Sequence, residues 1–401
     1  MKGITVFLII ILVLNIFGLT GCQYVQPGLS KAVAVDPPAA PAENNPKLEG
    51  RVTVDISLVG DIMVHSGQLK AAYNPRNGSY SFDEVFKEVE DFLKPADLAV
   101  GNLETVLASR DKGYTGYPRF NSPQEILPSL KEAGFDILTN ANNHSMDRGE
   151  SGVLETIQHL NTAEMKHTGT ASSIGERSKY LITEIKGIKF GILAYTYGTN
   201  GIPLPKGKGF LVNVIDRRQI REDIREIRAQ GAEIVLISPH FGIEYRRHPG
   251  AAEKAVVEDL FAAGADIVAG GHPHVLQPMV RRDTVKGSGG LFAAYSMGNF
   301  ISAQKGQYKD GGAILNLKLE KDLASGAVRL LNAEYIPTWV HTYRLKGKIM
   351  YRVVAVEKAI RDYEQGLDKK LTYRDYIRLK LVWQETTSLL SGPGSPDIRH
   401  V

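Results

Sequence analysis

The sequence predicts an α/β fold, a largely parallel or mixed β-sheet with helices covering its faces. Two observations carry this. Runs with the two-residue period of strands alternate with runs of helical spacing between residues 52 and 336. Five of the apolar runs end in clusters of Gly, Asp, Asn, Glu and His, where such sheets place their chemistry, at the carboxyl ends of strands. The composition agrees. With 43% hydrophobic and 23% charged residues, a mostly disordered chain and a polytopic membrane protein are excluded, and 40 Gly supply tight turns.

Residues 52–59 (VTVDISLV) alternate apolar and polar side chains and run into Gly60-Asp61, as a strand entering a loop. Apolar side chains at 82, 85, 86, 89, 92 and 93 have the spacing of an amphipathic helix. A short strand follows over 97–103. Ser122-Pro123 opens a helix with Pro at its first position, and Gly134 stops it after Ala133. Then come a strand at 135–139, a helix at 149–160, and a hairpin of 180–186 with 188–195 around Lys186-Gly187. Helices at 216–230 and 251–263 alternate with strands at 233–238 and 266–269. Further strands are expected near 290–295, 311–319 and 327–336. From His341 onward the alternation gives way to two helical patterns. One, at 355–365, puts Val356, Ile360 and Tyr363 on a face; the other, at 372–390, presents Tyr373, Tyr376, Ile377, Leu379, Leu381 and Trp383. Both are expected to dock on the sheet body or on each other.

One Cys rules out an intramolecular disulfide, and a formal charge of +4 is too small to predict a nucleic-acid partner. That excess lies in the tail, where residues 341–401 hold 12 basic and 7 acidic side chains. The N-terminus addresses the compartment. Lys2 precedes an apolar run from 4 to 19, broken by Thr5, Asn15 and Gly18, which reads as a signal-type segment. It ends in Leu19-Thr20-Gly21-Cys22, which resembles the lipobox of bacterial lipoproteins and makes Cys22 the lipid acceptor. An uncleaved membrane anchor is the alternative. Under both readings the body is extracytoplasmic and tethered to a membrane. The organisation expected is a signal peptide at 1–21, a lipidated Cys with a Pro/Ala-rich linker at 22–50, the α/β domain at 51–340 and a basic helical extension at 341–401.

The five loops are Gly60-Asp61-Ile62-Met63-Val64-His65, Gly101-Asn102-Leu103-Glu104, the run from Asn140 to Asp147, the run from Ser238 through His240 to Tyr245, and Gly270-Gly271-His272-Pro273-His274. Asp, Glu, Asn and His form an oxygen and nitrogen donor set suited to Mn, Zn, Fe or Mg, and thiolate ligation is excluded. His272 and His274, two apart, can offer imidazoles to adjacent divalent metal ions.

The order of these loops, with Ala141-Asn142-Asn143-His144 and Tyr295-Ser296-Met297-Gly298-Asn299-Phe300, resembles the bacterial capsule-synthesis CapA family, associated with poly-γ-glutamate. That family lies within the calcineurin-like metallophosphoesterase superfamily. The resemblance spans residues 52 to 340 and implies an αββα sandwich of two mixed sheets holding two divalent metals. It implies that Asp61 and His274 bind the first metal, that Glu104 bridges, and that Asn143, His240 and His272 bind the second. His144 becomes the proton donor or oxyanion contact, oriented by Asp147. Where the superfamily has a His two residues after the first Asp, this chain has Met63, and His65 is the substitute donor. Arg246, Arg247, Arg281 and Arg282 follow two of the loops and either steer a polyanion or form a solvated face.

Three functions follow. The resemblance implies synthesis, export or attachment of an anionic extracellular polymer, in contact with a membrane polymer-synthase complex. The alternatives are hydrolysis of an extracellular phosphoester (a nucleotide or wall phosphate) and a non-catalytic polymer-binding scaffold.

Overall fold

The computed structural model describes residues 50–282, 290–391 and 398–400. The expected signal segment, Cys22 and the linker lie outside the described residues. Among those described, no helix is long and apolar enough to cross a membrane.

In chain order, β1 (Arg51–Ile62) leads through α1 (Ser66–Ala72) to a small hairpin, β2 (Tyr73–Asn74) and β3 (Ser79–Tyr80). Helical turns α2 (Asp83–Phe86) and α3 (Glu90–Leu93), joined by a 3-10 turn, precede β4 (Leu98–Leu103). Next come α4 (Ile126–Ala133), β5 (Ile137–Thr139), α5 (Gly149–Thr162), β6 (Lys166–Thr168) and α6 (Ile174–Arg177). The second sheet is built from β7 (Leu181–Ile185), β8 (Ile188–Thr196), α7 (Arg217–Ala229), β9 (Ile234–His240), α8 (Ala251–Ala263), β10 (Ile267–Ala269), β11 (Met279–Arg282) and β12 (Leu291–Ala294). The chain then returns through β13 (Asn299–Ile301), β14 (Gly311–Asp322), β15 (Val328–Leu345) and β16 (Lys348–Ala355). It finishes with α9 (Val356–Glu364), α10 (Tyr373–Leu390) and β17 (Arg399–His400).

Both sheets are mixed. The first runs β16-β15-β14-β1-β4-β5-β6, and the second β11-β12-β10-β9-β8-β7. In the first, β1, β4, β5 and β6 are parallel and β14 to β16 add antiparallel strands on one side; in the second, parallel central strands have antiparallel β11 and β7 at the two edges. Ile56, Leu58 and Val100 of the first sheet pack with Phe190, Leu236 and Phe292 of the second in one buried cluster. The outer face of the first sheet is covered by α1 to α4 through Phe86, Leu93 and Leu127. That of the second is covered by α7 and α8 through Ile224, Leu260 and Phe261. This is the αββα layering expected, and each fully buried aliphatic or aromatic side chain contributes roughly 1.5–3 kcal/mol.

Two local expectations are corrected. Helix α4 starts at Ile126 rather than beside Pro123, because the buried Ser122 hydroxyl is taken by Thr105 Oγ1 (2.7 Å) and does not cap. Residues 123–125 form a turn instead. The strand pattern also continues beyond residue 340. β15 runs on to Leu345, Lys346-Gly347 turns the chain with φ of 49° and 81°, and β16 completes a hairpin. Helical structure in the tail begins only at Val356. The hairpin was hidden because polar side chains, His341 and Arg352, occupy buried strand positions. Arg352 is satisfied only in the fold, where it donates to His341 Nδ1 (3.0 Å), Glu88 (3.0 Å) and Asp368 (2.5 Å).

Candidate metal centre

The donor-bearing loops leave the carboxyl ends of β1, β4, β5, β9 and β10 and meet where the two sheets adjoin. Close backbone approach makes this meeting depend on glycine. A Cβ on Gly60 would lie 1.9 Å from the Gly298 carbonyl, and one on Gly271 would lie 2.6 Å from Asp61 Oδ1. His272 and His274 hold φ of 97° and 58°, a conformation disfavoured for residues with a Cβ by about 1–3 kcal/mol.

Asp61 is fully buried. Its Oδ1 accepts from Asn102 Nδ2 (2.8 Å), and its Oδ2 from His274 Nδ1 (3.0 Å) and the His272 backbone N–H (3.3 Å). Glu104, also fully buried, lies 3.2 Å from His240 Nε2 and 3.8 Å from His274 Nε2. Neither of its oxygens has a hydrogen-bond partner, nor does the buried Nδ1 of His272. His240 Nε2 also faces Asn143 Oδ1 at 2.8 Å. The donors form two groups, Asp61–Glu104–His240 and Glu104–His272–His274, and Glu104 belongs to both. His274 Nδ1 (3.0 Å) and His240 Nδ1 (3.9 Å) both also reach the Asp61 carboxylate.

Electrostatics point the same way. Burial and then the neighbouring Asp61 push the Glu104 carboxyl well above its ordinary range. Burial would raise Asp61 too, but its bond to His274 and the charges of His274 and His240 hold it low. Burial opposes a charged His274, yet Glu104 and Asp61 hold that ring up at about 9. Burial pushes His240 and His272 down to about 3, which keeps them neutral, as metal ligation requires. Two carboxyls and three imidazoles, sealed from water with several atoms unpartnered, fit a divalent cation.

His144 stands beside this cluster. Its Nδ1 is 2.7 Å from Asp147 Oδ2, whose same oxygen accepts from the Phe120 N–H (2.6 Å), and its ring meets the Phe120 ring edge-on at 4.6 Å. His65 is outside both donor groups. Its Nδ1 accepts from the Ala303 N–H at 3.3 Å and its ring abuts Phe120 (5.1 Å), so that nitrogen is directed to backbone.

Arg281 and Arg282 lie away from the donor loops, and Arg247 has partners of its own. Arg282 is paired across β11 with Leu291, the first residue of β12, which puts Arg281 and Arg282 toward the end of the sheet opposite the donor loops. Arg282 forks onto Glu258, and Arg281 donates to the Leu330 carbonyl (3.2 Å). Arg247 is bound to the Glu385 carbonyl (2.9 Å) and lies 4.0 Å over the Tyr308 ring. Arg246 is exposed, next to Tyr245, whose ring is 6.2 Å from His274.

Several contributors were not singled out from the sequence. Asn102 is the most central, since its amide also faces His240 Nδ1 (3.2 Å) while its oxygen accepts from Asn142 Nδ2 (3.2 Å). Its place two residues before Glu104, at the end of a strand, was an available signal. Tyr197, 4.6 Å from the His272 ring, Asn200, which accepts from Asn143 Nδ2 (3.1 Å), and Lys309, 4.2 Å over the Tyr245 ring, carry no local signature.

Comparison with known proteins gives the family. The Capsule biosynthesis protein CapA of Bacillus anthracis is 31% identical over 257 residues, 62% of this chain and 60% of that protein. The PGA biosynthesis protein CapA of Bacillus subtilis (strain 168) is 27% identical over 277 residues, 66% and 68% of the two chains. The match thus spans three-fifths of the Bacillus anthracis relative's length. Among solved structures, the calcineurin-like phosphoesterase YfkN from Bacillus subtilis aligns with a TM-score of 0.43 at 18% identity, over 83% of this chain and 100% of that one. A phosphatase from Mycoplasma pneumoniae aligns at 0.41 and 16%, over 72% and 94%. The family model described as bacterial capsule synthesis protein PGA_cap matches residues 55–304, more than half of the 401, and the chain belongs to that family.

Proposed function

We propose that this chain acts in the synthesis, export or attachment of an anionic capsule polymer of the poly-γ-glutamate type, through a dinuclear metal centre that performs hydrolysis or transfer. The printed names of the two Bacillus relatives support the polymer class. The observation that carries the chemistry is Glu104, a sealed carboxyl with two unpartnered oxygens shared by two donor groups. Asp61, His240, His272, His274 and Asn143 would complete the ligand set. Bound divalent metals would lower the pKa of a water and polarise the scissile group.

The chain's own residues supply the rest. Asp147, acceptor-only when ionised, holds the proton on His144 Nδ1, which leaves Nε2 as the atom that gives or takes a proton. Phe120, edge-on to that ring, limits its rotation. Arg246 and Lys309 place positive charge near the mouth, where a polyanion would approach. The apolar run at 4–19 and Cys22 support an extracytoplasmic, lipid-anchored location next to a membrane synthase.

The test uses polymer-producing cells in which this chain is replaced by Glu104→Gln, His240→Ala or Cys22→Ala. We expect metal content of the purified protein to drop in the first two and polymer yield to fall with it, at wild-type protein levels. Cys22→Ala should leave metal content intact and release the protein from membranes. Undiminished polymer in both ligand variants would sink the catalytic reading, and robust turnover of model phosphodiesters with normal polymer would reassign the site to phosphoester hydrolysis.

A further inference from the structure

Twelve large apolar side chains are exposed among the described residues, and six of them lie between Leu345 and Leu381. Two of the six sit at the turn of the β15–β16 hairpin, where Leu345 is 48% and Ile349 44% exposed. Strand β15 pairs with β14 as far as Trp339, opposite Gly311, and beyond that with β16 alone. Since β14 pairs Ile314 with Val59 of β1, this free part of the hairpin points past the carboxyl end of β1, the end that bears the donor loops. The residues from Val340 to Leu345 give it a reach of about 20 Å.

Cations surround those two side chains. From Thr342 to Val356 the chain carries Arg344, Lys346, Lys348 and Arg352 and no acid. Lys348 donates to the Tyr73 carbonyl (2.8 Å), which brings the β2–β3 hairpin alongside. The stretch from Gly67 to Phe82 that contains that hairpin has Lys70 and Arg76, and again no acid. On the α9–α10 side, Lys370 lies 5.3 Å over the Tyr343 ring. The acids that act on that ring are already engaged, Glu88 and Asp368 by Arg352 and Glu84 by Lys87 (3.9 Å). Among the described residues, Arg344 and Lys346 have no carboxylate partner. The turn therefore joins unpaired positive charge to exposed aliphatic surface. A soluble polyanion would match the cations and leave Leu345 and Ile349 in water, whereas an anionic lipid surface offers phosphates and an apolar boundary together.

We propose that the β15–β16 turn is a membrane-surface contact, in which Leu345 and Ile349 enter the headgroup boundary of an anionic leaflet while Arg344 and Lys346 meet lipid phosphates. The contact is separate from the proposed anchor at Cys22. It turns the donor-bearing end of the first sheet toward the bilayer.

The test uses the full-length chain with Cys22→Ala, so that a nitroxide label goes to one introduced thiol, in turn Leu345→Cys, Ile349→Cys and Ala324→Cys. Ala324 is exposed in the β14–β15 turn, at the opposite end of the sheet. Power saturation with oxygen and a nickel chelate tells whether each label sits in lipid or in water, on vesicles of phosphatidylglycerol or of phosphatidylcholine. We expect the labels at 345 and 349 to be immersed on phosphatidylglycerol alone, and the label at 324 to stay in water on both. Adding Arg344→Gln and Lys346→Gln should lower the immersed-to-free ratio roughly thirtyfold. A chain held on the vesicles by its apolar run at 4–19, with both turn labels in water, would overturn the proposal and leave the anchor standing. Immersion on phosphatidylglycerol of a chain that phosphatidylcholine does not retain would support the contact and count against the anchor. Equal immersion at 324, or on phosphatidylcholine, would refute it. Soluble polyglutamate that slows the label at 349 while vesicles leave it unchanged would assign the turn to polymer instead.

Discussion

Gly271 shows how much one backbone position controls. Any side chain there would press on Asp61 Oδ1 at 2.6 Å and on His240 Nδ1 at 3.2 Å, both within the donor cluster. Gly271→Ala should therefore displace ligands without emptying a core. We expect metal affinity to fall about 10–100-fold, the scale of other changes to groups that position ligands, with the unfolding midpoint of the metal-free chain little changed. Competition with a chromogenic chelator measures it, and wild-type affinity would contradict the steric reading. At this scale the sequence was informative where residue type is diagnostic. Asp61, Glu104, His240, His272 and His274 stood out as candidates because five such loops follow apolar strands in order, although a single Asp or His there is usually a turn former or a structural group. Asn102 carried only the weaker signal of its place before Glu104, because an amide at a strand end is an ordinary turn former until its two neighbours are seen. The partners of Arg247, Arg281 and Arg282 were not legible for a related reason, since only the folded chain brings them within reach.

Among the elements, α10 depends on one fork. Arg378 donates through Nε to Asp310 Oδ2 (3.0 Å) and through Nη2 to Oδ1 (2.5 Å), and Trp339 Nε1 adds a third bond to that carboxylate (2.8 Å). Around it, Leu379 and Val382 pack on Trp339 and Val354. Arg378→Ala should cost about 1.5–3 kcal/mol, the range for hydrogen bonds to a charged group, and Arg378→Lys should recover little because an ammonium cannot fork. Denaturant midpoints of both variants decide the matter; full rescue by Lys would show that charge without geometry suffices. The helix was readable from its period and from Thr372, which caps it with Asp375. The preceding hairpin was not. Lys346-Gly347 carries the same turn signal as Lys186-Gly187, but its strands bury His341 and Arg352, which break the apolar alternation.

For the molecule as a whole, that buried pair predicts a pH dependence. Burial first, and the Arg352 charge next, push His341 from 6.5 down to about 4, so the folded state holds the ring neutral. The unfolded chain binds this proton more readily, so the contribution is fully present above about pH 6.5 and is lost as pH falls toward 4. His341→Gln, which keeps an acceptor for Arg352, should flatten the stability profile between those pH values. Urea denaturation across the window measures this, and parallel profiles for wild type and variant would refute it. The acid slope would then belong to other groups.

The two-sheet sandwich was implied by the family resemblance; what the sequence determined by itself was the strand-helix alternation of an α/β fold, the rim on which polar loops gather, and the candidate donors there. These are properties of period and residue type, which act over a few neighbouring residues. Tertiary structure decided how the donors divide into groups around Glu104, which cations stay near the mouth, and that two more strands extend the first sheet past residue 340. Each of those depends on contacts between residues far apart in the chain, whose desolvation and pairing are settled only when the layers close.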